Sequence, residues 1–199
     1  MYKEAVDDAY LVLCGKVGQN KDELYTCAKF VEELKPKNIL EVGSQFGGTF
    51  YVWCRLSTGK RISVDLPCGD FGGITHEAVF TRNEKIKSIF DNVHFVTGDS
   101  HMEETRKNVE DILQGEKVDF LFIDADHTYN GVKKDYEMYK SFVKLGGYIG
   151  FHDINKIEEC QVDKLWEELQ GEKMEINYHQ SWASWRTNLG GIGIIKNEN

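Results

Sequence analysis

The most continuous apolar strand that the sequence predicts is Val118 to Ile123, and it stops at Asp124. A strand this apolar is typical of a sheet that is covered on both faces. Further short strands alternate with helical patterns along the chain, and two parallel strands need a crossover connection, which a helix supplies. The alternation therefore predicts an α/β fold, a doubly wound and mostly parallel sheet with helices on both faces.

The predicted sheet has about seven strands in all. Five of them alternate with helices, and they lie at 39–42, 61–65, 93–97, 118–123 and 148–151. The helical patterns cover 22–34, 50–56, 76–90, 102–113, 132–143 and 162–169. Two terminal strands, 174–178 and 192–195, are expected to complete one edge as an antiparallel pair. In the helix at 76–90, the apolar periodicity places four residues toward the core: Val79, Phe80, Ile86 and Ile89.

At 199 residues the chain has the length of one domain. We expect residues 1–20 to be an N-terminal extension, 21–155 to be the core that binds a cofactor, and 156–199 to add the last helix and the edge strands.

The formal net charge of −9, without a concentrated basic patch, opposes binding to nucleic acid or to an anionic membrane. The N-terminus lacks the apolar core of a signal peptide, and no apolar run approaches the ~20 residues of a membrane span. Five cysteines at irregular spacing, with no CxxC pair, are most simply reduced thiols. We therefore expect a cytoplasmic protein.

Polar residues follow the predicted strands at their carboxyl ends, where ligands bind in sheets of this kind. Gly43 and Gly47 lie in a turn after the first strand and let the backbone approach a ligand closely. This turn matches neither the G-x-G-x-x-G fingerprint nor a P-loop. Asp65 ends the second strand and could accept both hydroxyls of a ribose, and Asp99 beside Ser100 could accept an adenine amino group. Each acid alone is also explained as a cap or turn residue, but together they favour a bound adenosine group.

Glu41-Val42-Gly43 resembles the first motif of the class I S-adenosylmethionine-dependent methyltransferases. The string from Phe122 to Asp135, followed by Leu145-Gly146-Gly147 and Phe151-His152-Asp153, looks more specifically like the cephalosporin-hydroxylase-like or methyltransferase 24 group. The resemblance implies a Rossmann-like methyltransferase fold, a single methyltransferase-like domain and S-adenosylmethionine as cofactor.

The same resemblance assigns residues to parts of the cofactor. Glu41, Gly43 and Ser44 would meet its methionine end, and Gly47 belongs to the same turn. Asp65 would bind the ribose. Asp99 with Ser100 would bind the adenine.

A second group of polar residues follows the fourth and fifth strands. Related catechol and sugar O-methyltransferases carry metal ligands there, and by position these are Asp124, His152 and Asp153. Mg²⁺ or another divalent metal would lower the pKa of a bound hydroxyl, although the histidine favours a softer ion than Mg²⁺. His127 and His152 could instead be general bases, or make structural hydrogen bonds. The catalytic candidates are therefore His127, His152 and Asp124, and a structural role is expected for the other histidines: His76, His94, His101 and His179.

The leading interpretation is an S-adenosylmethionine-dependent O-methyltransferase that acts on a hydroxyl of a small molecule or a sugar. A catalytically silent cofactor-binding module is a second interpretation, and an NAD-dependent dehydrogenase is disfavoured because the fingerprint is missing. The loop 66–75 and the aromatic segment 182–186 are expected to wall the acceptor site. The two tryptophans of that segment could equally form a contact in a homo-oligomer.

Overall fold

The strands form where the short apolar runs lie in the sequence. The computed structural model describes residues 1–70, 73–156, 160–177 and 190–198. Its strands are β1 (Ile39–Val42), β2 (Arg61–Asp65), β3 (Val93–Thr97), β4 (Val118–Ile123), β5 (Val143–His152), β6 (Lys173–Ile176) and β7 (Ile192–Lys196). Its helices are α1 (Tyr2–Val12), α2 (Lys21–Leu34), α3 (Gly48–Leu56), α4 (His76–Lys87), α5 (Glu103–Leu113), α6 (Tyr129–Tyr139) and α7 (Val162–Glu168), with a short 3-10 helix at Lys140–Phe142.

The seven strands form one sheet in the order β3-β2-β1-β4-β5-β7-β6. The strands β1 to β5 are parallel, and β7 runs antiparallel to both of its neighbours. The predicted fold class and the antiparallel edge are therefore confirmed. The strand order reverses between β1 and β4, where the amide of Asp124 donates to the carbonyl of Val42 at 2.8 Å. Ligands bind at such a reversal in doubly wound sheets.

The central strand β4 is buried on both faces, as its composition predicts. Phe120 and Phe122 point into one core, which includes residues of α1, α2 and α3. Leu121 and Ile123 point into a second core, against residues of α5, α6 and α7. The indole of Trp53 in α3 lies with its ring centroid 5.4 Å from each of the two phenylalanine rings. Packing of the two cores against β4 fixes the position of its carboxyl end relative to that of β1.

Helix α4 differs from its prediction in length and in its buried face. It ends at Lys87, and its buried residues are Val79, Arg82 and Ile86. Phe80 is 66% exposed and Ile89, beyond the helix end, is 43% exposed. The expectation that these two residues face the core is therefore wrong. The buried face of α4 is narrow. Arg82 occupies a buried position where a helix of this kind usually has a hydrophobic residue.

Strand β5 begins at Val143, earlier than the predicted start at 148. Gly146 and Gly147 indicate a helix stop in the sequence, but both lie within the strand, and the register of β5 against β4 shifts in this region. Gly146 has a φ of +75°, so the strand bends there without ending.

Residues 1–20 are integrated into the fold. Ala5, Val6 and Ala9 of α1 are fully buried, and the following loop lies against the start of α3. A Cβ on Gly48 would meet the backbone of Val17, so the two segments are in close contact. Within the described ranges, no helix is both long enough and apolar enough to cross a membrane.

Candidate functional site

The turn between β1 and α3 approaches the end of β4 closely. Gly43 has a φ of +86°, and a Cβ at this position would collide with the backbone carbonyl of Asp124. Gly47 also has a positive φ, at +80°, and a Cβ there would lie 2.8 Å from Cδ of Arg82. The backbone contact requires glycine at position 43, and the positive φ favours glycine at position 47. The turn thus packs against the end of β4 on one side and against α4 on the other.

A cavity of about 210 Å³, called here the first cavity, lies at the carboxyl ends of β1 to β4. It brings together four of the residues predicted to bind a cofactor: Gly43, Asp65, Asp99 and Ser100. The loop after β2 contributes Leu66, Gly69, Asp70 and Gly73 to its wall. This part of the loop 66–75 therefore borders the cavity of the cofactor candidates. The segment 182–186 and His179 lie outside the described residues.

Asp65 is held by an arginine that no sequence pattern singles out. Nη1 of Arg82 lies 2.7 Å from Oδ2 of Asp65, and it also donates to the carbonyl of Gln45 in the glycine turn. Oδ1 of Asp65 accepts longer hydrogen bonds from the amides of Ser44 and Gln45, at 3.2 and 3.3 Å. Only 5% of the Arg82 side chain and 12% of the Asp65 side chain are exposed. Arg82 thus joins α4, the turn and Asp65 in one unit.

Glu41 lies behind the turn, on the wall of neither cavity described here. Its side chain is fully buried, and Oε1 accepts a hydrogen bond from the Thr49 hydroxyl at 2.9 Å. Burial raises the pKa of Glu41 to about 8, against the smaller lowering effect of hydrogen bonds from Thr49 and Ser44. The carboxyl is therefore largely protonated at neutral pH. It supports the turn through its hydrogen bond with Thr49 at the start of α3.

A second cavity, of about 330 Å³, lies on the other side of the turn. Gly43, Gln45 and Asp124 line both cavities, so the two adjoin. Ser44 lines the second cavity, and its hydroxyl lies 2.8 Å from that of Ser63. Gly47 is the N-cap of α3 and lines neither cavity.

Two carboxylates and two imidazoles meet at the second cavity, and we call Asp124, His127, His152 and Asp153 the His-Asp cluster. Nε2 of His127 lies 3.3 Å from Oδ1 of Asp124, and its Nδ1 lies 3.3 Å from Oδ2 of Asp153. Nδ1 of His152 lies 3.1 Å and 3.5 Å from the same two carboxylate oxygens. Each imidazole therefore bridges both acids. The prediction that the ends of β4 and β5 bring these residues together is consistent with this geometry.

The charges of the His-Asp cluster perturb each other strongly. Burial acts to raise the pKa of Asp124, but the two histidines lower it to about 2. Burial acts to lower the pKa of His127, but hydrogen bonds with Asp124 and Cys160 and the charge of Asp153 raise it to about 11. The pKa of His152 is raised to about 9 because the two aspartates outweigh its burial. The contacts within the cluster therefore favour the ionised form of Asp124 and the protonated forms of His127 and His152.

The same residues can serve as metal ligands. Nδ1 of His152 lies within 3.5 Å of a carboxylate oxygen of both Asp124 and Asp153, so the three side chains can converge on one ion. An imidazole is a poor ligand for Mg²⁺ and a good one for transition metals, so this donor set fits a divalent transition metal better. The metal assignment stays a prediction.

Gln19 is a site residue that the sequence does not reveal. It lies in the loop after α1, and its Nε2 donates to Oδ2 of Asp124 at 2.8 Å across 105 residues of sequence. Its Oε1 is buried and has no hydrogen-bond partner among the described residues. Tyr10 fixes the loop, because its hydroxyl donates to the carbonyl of Gln19 at 2.9 Å. The weak pattern of residues 1–20 contains no signal for this role.

His101 is a second residue whose role the sequence misses. It lines the first cavity, and its Nε2 lies 3.3 Å from Oδ1 of Asp135, which is fully buried in α6. Hydrogen bonding to Asp135 raises the pKa of His101. The sequence does not indicate this pair, because α6 brings the acid from 34 positions along the chain. The structural role expected for His101 stays a prediction. The sequence signal that could have indicated the pair is Asp135 itself, a charged residue at the end of the family-specific string from Phe122 to Asp135.

Residues 40–154 match the Methyltransf_24 family model, which is described as a methyltransferase domain. Among curated proteins, the uncharacterized protein y4gI of Sinorhizobium fredii is 23% identical over 150 residues, which cover 74% of this chain. The uncharacterized protein R132 of Acanthamoeba polyphaga mimivirus is 50% identical over 36 residues, which cover 18% of this chain. The matched segment spans 16% of the length of each relative.

Solved structures with the same fold include methyltransferases of more than one kind. The O-methyltransferase from Bacillus cereus in complex with SAH has a TM-score of 0.65 and 17% identity, covering 97% of this chain and 90% of that one. TomG from Streptomyces achromogenes, an O-methyltransferase in complex with SAM, has a TM-score of 0.66 and 11% identity, covering 98% and 90%. The N-methyltransferase NodS from Bradyrhizobium japonicum has a TM-score of 0.58 and 11% identity, covering 89% and 97%.

At these identities the structural likeness shows the fold, and the family match covers more than half of the chain. The chain therefore belongs to the Methyltransf_24 methyltransferase domain family and has the Rossmann-like fold of the class I S-adenosylmethionine-dependent methyltransferases.

Proposed function

We propose that this chain transfers the methyl group of S-adenosylmethionine to a hydroxyl oxygen of a small molecule or a sugar. The observation that carries the proposal is the charge of the first cavity. Five aspartates line it, and among its described lining residues His101 is the one basic side chain. The aspartates are Asp65, Asp70, Asp99, Asp124 and Asp126. Such a cavity suits a cationic sulfonium and a ribose diol, and it opposes the pyrophosphate of a dinucleotide.

The cofactor-binding roles follow the order of the strands. Asp65 would accept the ribose hydroxyls with its Oδ1, whose present hydrogen bonds, at 3.2 and 3.3 Å, are long. Asp99 and Ser100 would meet the adenine at the end of β3. Gly43 and Ser44 would meet the methionine part, because the backbone of the turn passes between the two cavities.

The adjoining cavities support transfer from one to the other. A donor that lies across the turn at Gly43 would have its sulfonium at the boundary, beside Asp124. An acceptor in the second cavity would then approach the methyl group from the opposite side, as direct displacement requires. Gln19 and Val17 border this cavity on the N-terminal side and would limit the access of water.

The lining of the second cavity supports a polar acceptor. Its described residues carry amide, hydroxyl, imidazole and carboxylate groups, including Gln19, Asn20, Ser44 and Thr49. These groups can make many hydrogen bonds to a molecule with several hydroxyls, whereas an apolar acceptor would leave them unpaired.

The His-Asp cluster would position the acceptor hydroxyl, and an imidazole in its neutral form or a carboxylate of the cluster would take the hydroxyl proton. The rings of His127 and His152 are oriented by the two carboxylates, which also stabilise positive charge on an imidazole. Asp124, His152 and Asp153 would hold a divalent metal, which when bound lowers the pKa of a hydroxyl group next to it.

The first experiment is calorimetric titration with S-adenosylhomocysteine, with NADH as the comparison ligand. We expect binding of S-adenosylhomocysteine, and Asp99→Ala should weaken it at least tenfold while Asp111→Asn, remote from both cavities, should not change it. Absence of binding at millimolar concentration, or tighter binding of NADH, would contradict the proposed cofactor.

The second experiment follows labelled methyl transfer to a panel of sugars, phenols and amines. We expect transfer to a hydroxyl acceptor. His127→Gln should reduce its rate ~10²–10⁴-fold, the usual contribution of a general acid or base, while S-adenosylhomocysteine binds within twofold of the wild type. Transfer to amines alone would overturn the assignment of oxygen as the acceptor atom.

A further inference from the structure

The thiol of Cys160 lies next to the His-Asp cluster. One ligand atom each from His127, Asp153 and Cys160 lies within 4.8 Å of the other two. Cys160 and Asp153 are buried, and His127 is partly buried. The sequence pattern does not single out Cys160, because it follows β5 by several residues and belongs to no CxxC pair.

Backbone contacts hold Cys160 next to the cluster. The amide of the adjacent Gln161 donates to the carbonyl of His127 at 2.8 Å, and its side-chain Oε1 accepts from the amide of Tyr129 at 3.3 Å. The thiol of Cys160 donates to the carbonyl of Asp153 at 3.6 Å. The start of α7 is thus attached to both strand-end loops that carry the cluster, so the thiol has a defined place.

The backbone of Asp153 is strained at this point. Its φ is +58°, a conformation that a residue with a Cβ rarely adopts, and the residue is 7% exposed. Strain of this kind persists where the surroundings require it and is concentrated at functional sites. In this conformation the carboxylate of Asp153 lies next to His127, and the backbone carbonyl of Asp153 accepts from the thiol of Cys160.

The chemistry of the three donors selects the type of ion. Mg²⁺ takes oxygen ligands in near-ideal octahedral geometry, whereas thiolate and imidazole suit zinc and neighbouring transition metals. Metal–ligand bonds of ~2.0–2.3 Å place tetrahedral ligand atoms ~3.5 Å apart, so the separations here close by side-chain movements of an ångström or so.

We infer that His127, Asp153 and Cys160 form a binding site for a zinc-class divalent metal, with its fourth position toward the second cavity. His127 and Asp153 line that cavity, and Cys160 lies behind them. Three protein ligands and one open position are the arrangement of catalytic zinc sites. This set shares Asp153 with the set of Asp124, His152 and Asp153 given under the proposed function, and it is the alternative to that set at the acceptor site. The inference rests on the proposed function only for what the open position receives, because metal binding itself needs neither methyl donor nor acceptor.

The test is metal binding by the full chain, purified with chelator and kept reduced. Co²⁺ serves as the spectroscopic probe, and Zn²⁺ and Mg²⁺ are compared by competition with a chromophoric chelator. We expect one equivalent of Co²⁺ to produce a near-ultraviolet thiolate-to-metal charge-transfer band, Zn²⁺ to displace it, and millimolar Mg²⁺ to leave it unchanged.

Cys160→Ser should abolish the band and weaken Zn²⁺ binding at least tenfold, and Asp153→Asn should also weaken it. The matched control is Cys68→Ser, because Cys68 is a free, exposed cysteine away from the cluster. Thermal unfolding in chelator separates binding from folding: Cys160→Ser should keep the metal-free Tm and lose the rise in Tm that Zn²⁺ causes in the wild type.

Three results would overturn the inference: no stoichiometric metal binding, Mg²⁺ binding as tightly as Zn²⁺, or a charge-transfer band that survives in Cys160→Ser. Titration with S-adenosylhomocysteine on the same samples distinguishes the two proposals. If only the metal site is wrong, S-adenosylhomocysteine still binds in the first cavity. If only the proposed cofactor is wrong, the charge-transfer band of Co²⁺ is still observed.

Discussion

Replacing Arg82 with methionine tests whether the first cavity depends on the pair of Arg82 and Asp65. The methionine keeps an unbranched apolar stem beside Gly47 and Ile86 and removes the guanidinium. Breaking a buried ion pair costs ~3–5 kcal/mol because the remaining charge stays buried. Asp65 is 12% exposed and borders a cavity, so water reaches it in part. We therefore expect the free energy of unfolding to fall by about 3 kcal/mol, the lower end of that range.

The same substitution should weaken the binding of S-adenosylhomocysteine about tenfold, an effect of ~1.4 kcal/mol, because Arg82 holds both Asp65 and the carbonyl of Gln45. Urea unfolding at pH 7 and calorimetric titration measure the two effects. Lys87→Met is the matched control, since Lys87 lies on the same helix and has a half-exposed side chain. Its Nζ lies 3.5 Å from Glu84 at the surface and 5.7 Å from the centroid of the Phe95 ring. The effect of Lys87→Met should stay within ~0.5 kcal/mol.

A double-mutant cycle with Asp65→Asn isolates the pair. Once one partner is removed, loss of the second should cost much less, so the cycle should give a coupling energy of ~1–3 kcal/mol. Additive effects, to within ~0.5 kcal/mol, would refute the reasoning that the ion pair supports the cavity.

Three further changes test other parts of the site. Glu41 has a folded-state pKa of about 8, above the ordinary value of 4.5, so the folded chain binds more protons and the free energy of unfolding should fall as pH rises from 4.5 to 8. Glu41→Gln should remove this part of the slope, up to ~5 kcal/mol in total at 1.36 kcal/mol per pKa unit, as measured by urea unfolding across that pH range. Gly43→Ala should abolish cofactor binding and destabilise the fold by more than ~2 kcal/mol. Gly146→Ala should cost only ~1 kcal/mol, because Gly146 also has a positive φ but a Cβ there would meet no atom of the described residues within 4 Å. Equal costs would contradict the close contact of Gly43 with Asp124. Gln19→Leu should lower the rate of methyl transfer at least tenfold with S-adenosylhomocysteine affinity within twofold, and an unchanged rate would show that Gln19 has no part in the acceptor site.

The strands were predictable where local pattern determines them. The bounds of β1 to β4 agree with the sequence because each is a short stretch of apolar or alternating residues that ends on a polar residue or turn. The start of β5 was not predictable, because two glycines that indicate a helix stop lie instead in a bent strand. The antiparallel edge followed from the position of two terminal strands after the parallel core.

The candidate site was predictable only where its residues come from strand ends. Asp65 ends a strand, Asp99, Asp124 and Asp153 each follow one, and parallel topology alone brings them to one edge. Arg82, Gln19 and Cys160 reach the same edge from a helix face and from loops, and their contacts join segments that no periodicity relates. Tertiary packing decides such contacts, as it also decides that an arginine takes an interior position of α4.

The placement of β7 between β5 and β6 has a consequence for the order of folding during synthesis. His152, at the end of β5, is paired with Ile192 of β7, so one edge of β5 has no partner until residues 192–196 have left the ribosome. Up to that moment the nascent sheet presents an apolar strand edge that other chains can pair with. Strand β7 therefore protects the edge of β5, the strand that leads to His152 and Asp153 of the His-Asp cluster. The nascent chain is most exposed to misassembly just before this part of the site is complete.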